Sequence, residues 1–153
     1  MSPETCRSCR SPDLKDIISF GNQYLADFRE DDQKPEQHPL ELTLCRKCSL
    51  LQLKETTPRS SLYTERYGYK SGINNTIRAD LQEISERARE RVTLREKDVV
   101  LDIGANDGTL LANYPTSLFR VGFEPIGKLA DECRQSADLV VNDFFGLDAW
   151  RRE

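Results

Sequence analysis

No stretch of this sequence approaches the roughly 20 apolar residues that a membrane-spanning helix needs. The opening Met-Ser-Pro-Glu-Thr-Cys also lacks the apolar core of a signal peptide. A membrane partner is therefore not expected, and the predicted location is the cytoplasm. Excess positive charge is missing too: 22 Lys and Arg stand against 26 Asp and Glu, giving a net charge of -4. Because the basic residues are mixed with acids and form no stripe, the chain offers no extended phosphate-binding surface, and nucleic acid is excluded as an expected partner. Histidine is nearly absent, with His38 alone. Hydrophobic residues make up 37% and charged residues 31%, which allows one modest domain or two small ones.

What the chain does have is cysteine in pairs. Cys6-Arg7-Ser8-Cys9 and Cys45-Arg46-Lys47-Cys48 are two Cys-x-x-Cys knuckles. Each can hold one edge of a tetrahedral zinc ion, and together they make a closed, structural four-thiolate site. A redox pair is the competing reading, but redox chemistry needs only one such motif. Zinc on four thiolates carries a charge of about -2, and Arg7, Arg10, Arg46 and Lys47 stand in or beside the knuckles to offset it. With four thiolates closing the site, His38 is not needed as a ligand, and Cys133 is expected to be a buried helix residue. Leu40, Leu42 and Leu44 alternate into Cys45, and Leu50, Leu51 and Leu53 follow Cys48, predicting two short strands hinged on the second knuckle. Residues 27–39, acidic and polar with two prolines, read as a solvated loop.

The stretch that organises the rest is Val99-Val100-Leu101-Asp102-Ile103-Gly104-Ala105-Asn106-Asp107-Gly108. Its first five residues predict a buried parallel strand, and its two glycines let backbone N–H groups approach a ligand before a helix opens at Thr109. Glu124, 22 positions after Asp102, ends a second apolar strand (residues 120–124), where a carboxylate suits ribose hydroxyls. A pyrophosphate would need further glycines where Asn106 and Asp107 stand. A carboxylate in that loop instead suits a ligand carrying an ammonium and a sulfonium, as S-adenosylmethionine does. An ordinary strand, turn and helix is the plainer alternative. Asp143, just past a third strand at residues 138–142, is placed to accept from an adenine amino group, with Phe144 or Phe145 packing on the ring.

Between the two regions, residues 62–72 hold three tyrosines, a lysine and two glycines, which reads either as a ligand lid or as an aromatic linker. From there Ile73, Ile77, Leu81, Ile84, Ala88 and Val92 recur at helical spacing and predict an amphipathic helix of about five turns. Shorter helices are expected from Thr109 to Asn113, ended by Pro115, and over residues 127–135.

Taken as an ordered set, these motifs resemble the zinc-containing, S-adenosylmethionine-dependent C-methyltransferases that act on nucleotide-linked deoxy-keto sugars. The motifs that carry the resemblance are the two cysteine pairs, Tyr69-Lys70-Ser71-Gly72, Asp102 through Leu111, Gly122-Phe123-Glu124-Pro125 and Asn142-Asp143-Phe144-Phe145. The resemblance implies a structural zinc on Cys6, Cys9, Cys45 and Cys48. It implies cofactor binding on Asp102, Gly104, Asn106, Asp107, Gly108, Glu124, Asp143 and Phe144, with Tyr69 and Ser71 of the loop at residues 67–72 serving cofactor or sugar. Ser49 stands where that family usually has glycine. The implied fold is α/β: a zinc-ribbon-like module over residues 1–58, a Tyr-rich loop and linking helix over 59–95, and the first half of a Rossmann-like cofactor sheet over 96–153. Members of the family continue into a completed sheet and a further C-terminal domain that supply the general base and most of the sugar site. The expectation is therefore an N-terminal portion, a truncated product or one piece of a split protein. It would bind cofactor but lack the base, and expose an apolar sheet edge to a complementing half or to a second copy. The alternative is a non-catalytic zinc-ribbon interaction module with a remnant methyltransferase fold.

Overall fold

Ile17, Ile18, Phe20 and Tyr24 supply the β-branched and aromatic residues of a strand that the cysteine spacing gave no reason to expect. In a computed structural model, which describes residues 4–25 and 32–152, these residues lie in β1 (Leu14–Tyr24). It pairs antiparallel with β2 (Gln37–Cys45), which in turn pairs antiparallel with β3 (Leu51–Leu53). The register of β1 on β2 shifts between Ser19 and Asn22, and Gly21 (φ 69°) takes the left-handed backbone that this irregularity needs.

Strand β2 is longer than the leucine alternation indicated. Residues 37–39, expected in the loop, are its first three residues, with His38 opposite Gln23 and Pro39 opposite Asn22. Proline is tolerated there because β3 reaches only Leu42 to Leu44, so among the described residues β2 has no second neighbour at Pro39 that would need an N–H. Residues 26–31 of that expected loop lie outside the described residues.

The chain divides into two units, Met1–Gly68 and Tyr69–Glu153, so the segment 59–95 is shared between them. The first unit ends with the single turn α1 (Arg59–Leu62) and a Tyr63–Tyr67 ring contact at 5.5 Å.

The second unit opens with a 3-10 turn (Ser71–Ile73) and then α2 (Asn75–Arg91). Asn74 caps α2, its side-chain oxygen accepting the Thr76 N–H at 2.8 Å. The buried stripe of α2 differs from the expected one. Ile77, Leu81, Ser85 and Ala88 are the covered positions, whereas Ile73, Ile84 and Val92 are exposed. Serine can take the covered place at position 85 because its hydroxyl donates back to the Gln82 carbonyl at 2.8 Å. On the far face Glu83 pairs with Arg87 at 2.5 Å, as expected of a solvated surface.

Strands β4 (Val99–Ile103), β5 (Phe119–Phe123) and β6 (Leu139–Val141) form a parallel sheet in the order β4-β5-β6. The order makes β5 the inner strand and β4 an edge. Where a helix was expected from Thr109, only a 3-10 turn (Leu111–Asn113) forms, because Pro115 follows too soon for a longer one. Helices α3 (Gly127–Cys133) and α4 (Leu147–Arg152) complete the unit. The core has two clusters: Val121, Phe123, Val141 and Ala149, and Ala105, Leu111 and Cys133 with Val100 and Val140 against them. Arg120 and Asp138 tie β5 to the start of β6: the Arg120 guanidinium and N–H both donate to the Asp138 carboxylate, at 3.1 and 2.8 Å, and the Asp138 N–H donates to the Arg120 carbonyl at 2.8 Å.

Candidate metal centre and cofactor loop

The two knuckles are built alike. In each, an N–H returns to the carbonyl of the first cysteine, Arg10 to Cys6 at 3.0 Å and Ser49 to Cys45 at 2.9 Å. The residue after each second cysteine is left-handed, Arg10 and Ser49 both at φ 61°. Neither is glycine, so both knuckles carry backbone strain. These turns gather the four sulfurs of Cys6, Cys9, Cys45 and Cys48 within 4.8 Å of one another. Cys6 and Cys48 are 3.6 Å apart, as are Cys9 and Cys45. A zinc–sulfur bond of about 2.3 Å sets the edges of a tetrahedron at about 3.8 Å, so the cluster fits a four-thiolate zinc and is far too open for disulfides.

The thiols respond to their crowding in opposite directions. Cys6 is drawn down to about 6, first by the Cys9 backbone N–H and, against burial, by that of Ser8. Cys48, although the Leu50 N–H lowers it, is pushed up to about 12 by the neighbouring sulfurs and burial. Four thiols this close share their protons unevenly until a cation replaces them. His38 takes no part, and pairs with Glu36 at 3.0 Å.

A latch that sequence reasoning did not anticipate docks the first knuckle on the sheet. The Arg7 N–H donates to Gln52 Oε1 at 3.0 Å, while the Arg7 guanidinium donates to the Leu53 carbonyl at 2.7 Å and to Thr56 Oγ1 at 2.6 Å. Gln52 pairs across the ladder with Thr43, which lies two residues before Cys45 and so on the same face. Glutamine in an otherwise apolar Leu-x-Leu run was the available signal.

In the second unit the three parallel strands deliver Gly104, Glu124 and Asn142-Asp143 to their carboxyl ends, the side on which open α/β sheets take ligands. The loop after β4 turns its N–H groups inward. Gly104 and Ala105 donate to the Phe123 carbonyl at 2.8 and 2.9 Å, Gly108 to the Ala105 carbonyl at 2.9 Å, and Asn106 to Glu124 Oε2 at 2.9 Å. Such a loop has no cradle of free N–H groups for a pyrophosphate.

Its glycines have different tasks. Gly104 (φ 82°) is open, with nothing within 4 Å of the place a Cβ would take. Gly108 (φ 80°) faces the protein, where a Cβ would come 3.0 Å from the Cys133 Cα, so it serves helix packing and not ligand approach as expected. Cys133 is fully buried in α3, as expected, and its thiol is pushed up to about 11 by burial and by the charges of Asp102, Glu124 and Asp107.

Among the acids, Glu124 is 4% exposed, and its Oε1 accepts the Ile126 N–H at 2.9 Å. Asp102 is partly buried and makes no hydrogen bond or ion pair among the described residues; burial first, then the Glu124 charge, raises its pKa above the usual 3.8. Asp107 accepts the Gly72 N–H at 2.7 Å and the Thr109 hydroxyl at 2.6 Å. Asp143 accepts the Phe144 N–H at 2.7 Å and is paired with Arg152. Phe145 stands edge-on to Phe123 at 5.1 Å, while Phe144 is half-buried. Ser71 and the half-exposed Tyr69 meet the loop through Asn106, whose oxygen accepts the Ser71 N–H at 2.9 Å and whose amide donates to the Tyr69 carbonyl at 3.2 Å.

The molecule is thus a mixed α/β protein in which a four-thiolate zinc module precedes a parallel-sheet unit. A family model described as "Putative zinc binding domain" matches residues 6–63, the span of the sulfur cluster and its sheet. The chain is also 30% identical over 132 residues to the C-methyltransferase NovU of Streptomyces niveus, an alignment that covers 83% of this chain and 31% of that protein. Residues 6–63 are thus similar to a zinc-binding domain and most of the chain is similar to a C-methyltransferase, of whose length it spans about a third.

Proposed function

We propose that this chain forms the S-adenosylmethionine-binding part of a methyltransferase acting on the carbon next to a ketone in a nucleotide-linked deoxysugar. The observation that carries the reading is the convergence of Asp102, Gly104, Glu124 and Asp143 at the carboxyl ends of three parallel strands, around a loop whose N–H groups point away from any phosphate. Asp102 has no partner among the described residues and is available to a cationic group. Open space at Gly104 lets a ligand approach the backbone, and Asp143 and Phe144, just past β6, are proposed to take the adenine edge and face. The cofactor, when bound, supplies a methyl group on a sulfonium, which the sugar carbon takes as a proton leaves it and the sulfur departs as a neutral thioether. The chain's own residues bind and orient; the proton acceptor is proposed to lie outside these 153 residues. The zinc module is structural, and the exposed apolar strip of β4 is proposed to receive a complementing segment of the whole protein or a second copy. A cytoplasmic setting is part of the same proposal; among the described residues no helix is long and apolar enough to cross a membrane.

Calorimetric titration of the zinc-loaded chain with S-adenosylhomocysteine tests the reading. Saturable binding, lost in Asp102→Ala, is expected. A folded, monodisperse chain that binds nothing would overturn it. That result would favour a non-catalytic interaction module, a reading supported by the exposed Ile17, Ile18, Phe20 and Tyr24 on β1.

A further inference from the structure

Residues 69–72 are fixed to the loop after β4 through the two residues that stand where a dinucleotide fingerprint would have glycine and its neighbour. Asn106 is in the left-handed region (φ 52°) and 9% exposed, and its backbone N–H, side-chain oxygen and side-chain amide each have a partner. Its N–H goes to Glu124, its oxygen takes the Ser71 N–H and its amide reaches the Tyr69 carbonyl. Asp107 is engaged at both carboxylate oxygens. One oxygen accepts both the N–H (3.1 Å) and the hydroxyl (2.6 Å) of Thr109, and the other accepts the Gly72 N–H at 2.7 Å. A carboxylate has about four acceptor positions, so three are already taken. Gly72 is fitted to this arrangement: a Cβ there would come 2.6 Å from Asp107 Oδ2 and 2.9 Å from Thr109 Oγ1. Lys70, in the same segment, pairs with Glu132 of α3.

We infer that Asn106 and Asp107 are positioning residues. They clamp residues 69–72 onto the loop and thereby present Tyr69 and Ser71 to the ligand, while making no contact with the ligand themselves. The clamp stands on the geometry alone; the ligand's identity rests on the function proposed above. Bringing two backbone N–H groups under two adjacent side chains converts a flexible approach into part of the site's wall.

The test uses the zinc-loaded full chain. Amide hydrogen exchange at residues 71 and 72 is measured without ligand, and S-adenosylhomocysteine binding is measured separately, in wild type, Asn106→Ala, Asp107→Ala, Asp107→Asn and Gly72→Ala. In wild type both amides are expected to be protected. Asn106→Ala and Gly72→Ala should each speed their exchange and weaken binding about tenfold or more. Gly72→Ala combined with Asp107→Ala should bind no worse than the weaker single variant, because both release the same clamp. Asp107→Asn, which keeps an acceptor of the same shape, should fall between wild type and Asp107→Ala, and amide protection in β5, in the same unit, shows that each variant is folded. Unprotected amides in wild type would overturn the clamp. So would loss of binding in Asp107→Ala with full binding in Gly72→Ala, which would make Asp107 a direct ligand. Protected amides in a chain that ignores S-adenosylhomocysteine would overturn the cofactor reading and leave the clamp standing.

Discussion

Glu124 accepts the backbone N–H of Asn106 at 2.9 Å from a position that is 4% exposed, and its other oxygen holds the N–H of Ile126 at the same distance. One buried carboxylate therefore joins the loop after β4 to the entry of α3, while Asn142 donates to the Glu124 carbonyl at 2.9 Å. Removing it leaves two buried N–H groups without acceptors, a loss of about 2 to 3 kcal/mol. Glu124→Ala should be destabilised by that amount in denaturant unfolding of the full chain. Glu124→Gln should not restore it, since its amide NH2 would face one of the two N–H groups. Wild-type stability in the glutamine variant would show that only one of the two bonds matters.

The two knuckles end on Arg10 and Ser49, both left-handed at φ 61°. A non-glycine residue in that region costs about 1 to 2 kcal/mol, and glycine relieves it at a smaller entropic cost. Ser49→Gly and Arg10→Gly should each raise the stability of the zinc-loaded first unit, by up to about 1 kcal/mol. Ser49→Ala, which keeps the Cβ, should not. Thermal unfolding followed by the release of zinc to a chromogenic chelator reads the effect.

Gln52 holds the first knuckle by its side-chain oxygen, and the zinc site is assembled from two knuckles far apart in sequence. Groups that orient metal ligands are commonly worth about 10- to 100-fold in metal affinity. Gln52→Leu should lose zinc affinity within that range in chelator competition while retaining a four-thiolate cobalt spectrum. Arg7→Ala, which keeps the N–H bonded to Gln52, should lose less. Equal affinities in wild type and Gln52→Leu would show that the knuckle docks without the latch.

The parts of this protein that were legible in its sequence are those written in local chemistry. Two Cys-x-x-Cys pairs gave the sulfur cluster, because tetrahedral zinc dictates both residue type and spacing. Valine and isoleucine runs gave β4 and β6, and Pro115 marked the end of a turn. The strand β1 was missed because it is exposed along nearly its whole length and so lacks the in–out alternation of a half-buried strand. Helix α2 was legible, and with it the covered positions Ile77, Leu81 and Ala88, but not the whole stripe. Ser85 displaced Ile84 by one position, and hydrophobicity alone favours the isoleucine. The bonds that tie Asn106 to Glu124 and residues 69–72 to Asn106 and Asp107 could not be read at all, since they join residues 18 to 37 positions apart.

Asp102 carries a pH dependence of definite sign. Burial and the Glu124 charge raise its pKa in the folded chain above the usual 3.8, so between those two values the folded chain holds more protons than the unfolded one. Stability therefore falls as pH rises through that window and stays lower at neutral pH. Asp102→Asn should be more stable than wild type at pH 7 and should lose this contribution to the slope, while losing affinity for S-adenosylhomocysteine. The exposed Asp138 acts in the opposite sense: Arg120 lowers its pKa, so its contribution is present above the usual value and disappears in acid. Denaturant midpoints from pH 3 to pH 7 for wild type, Asp102→Asn and Asp138→Asn separate the two. A wild-type Asp102 more stabilising at pH 7 than the asparagine would reverse the assignment.

Strand β4 bears Val99, Leu101 and Ile103 on one side, exposed by 58%, 37% and 57%, and Phe119 and Trp150 extend the same apolar surface. Its only ladder among the described residues is with β5, so its second edge keeps unpaired N–H and carbonyl groups. An apolar strand with an unpaired edge associates with whatever strand is offered, whether a complementing segment or a second copy. A single charge on that surface opposes both, because it would be buried in either pairing. Leu101→Lys is therefore expected to shift the chain toward monomer in sedimentation at micromolar concentration, with zinc content unchanged. It leaves Asp102 and Gly104 in place, so S-adenosylhomocysteine binding should survive. If the wild-type chain is already monomeric and Leu101→Lys changes nothing, the edge is not used between copies, and a complementing segment remains its proposed occupant.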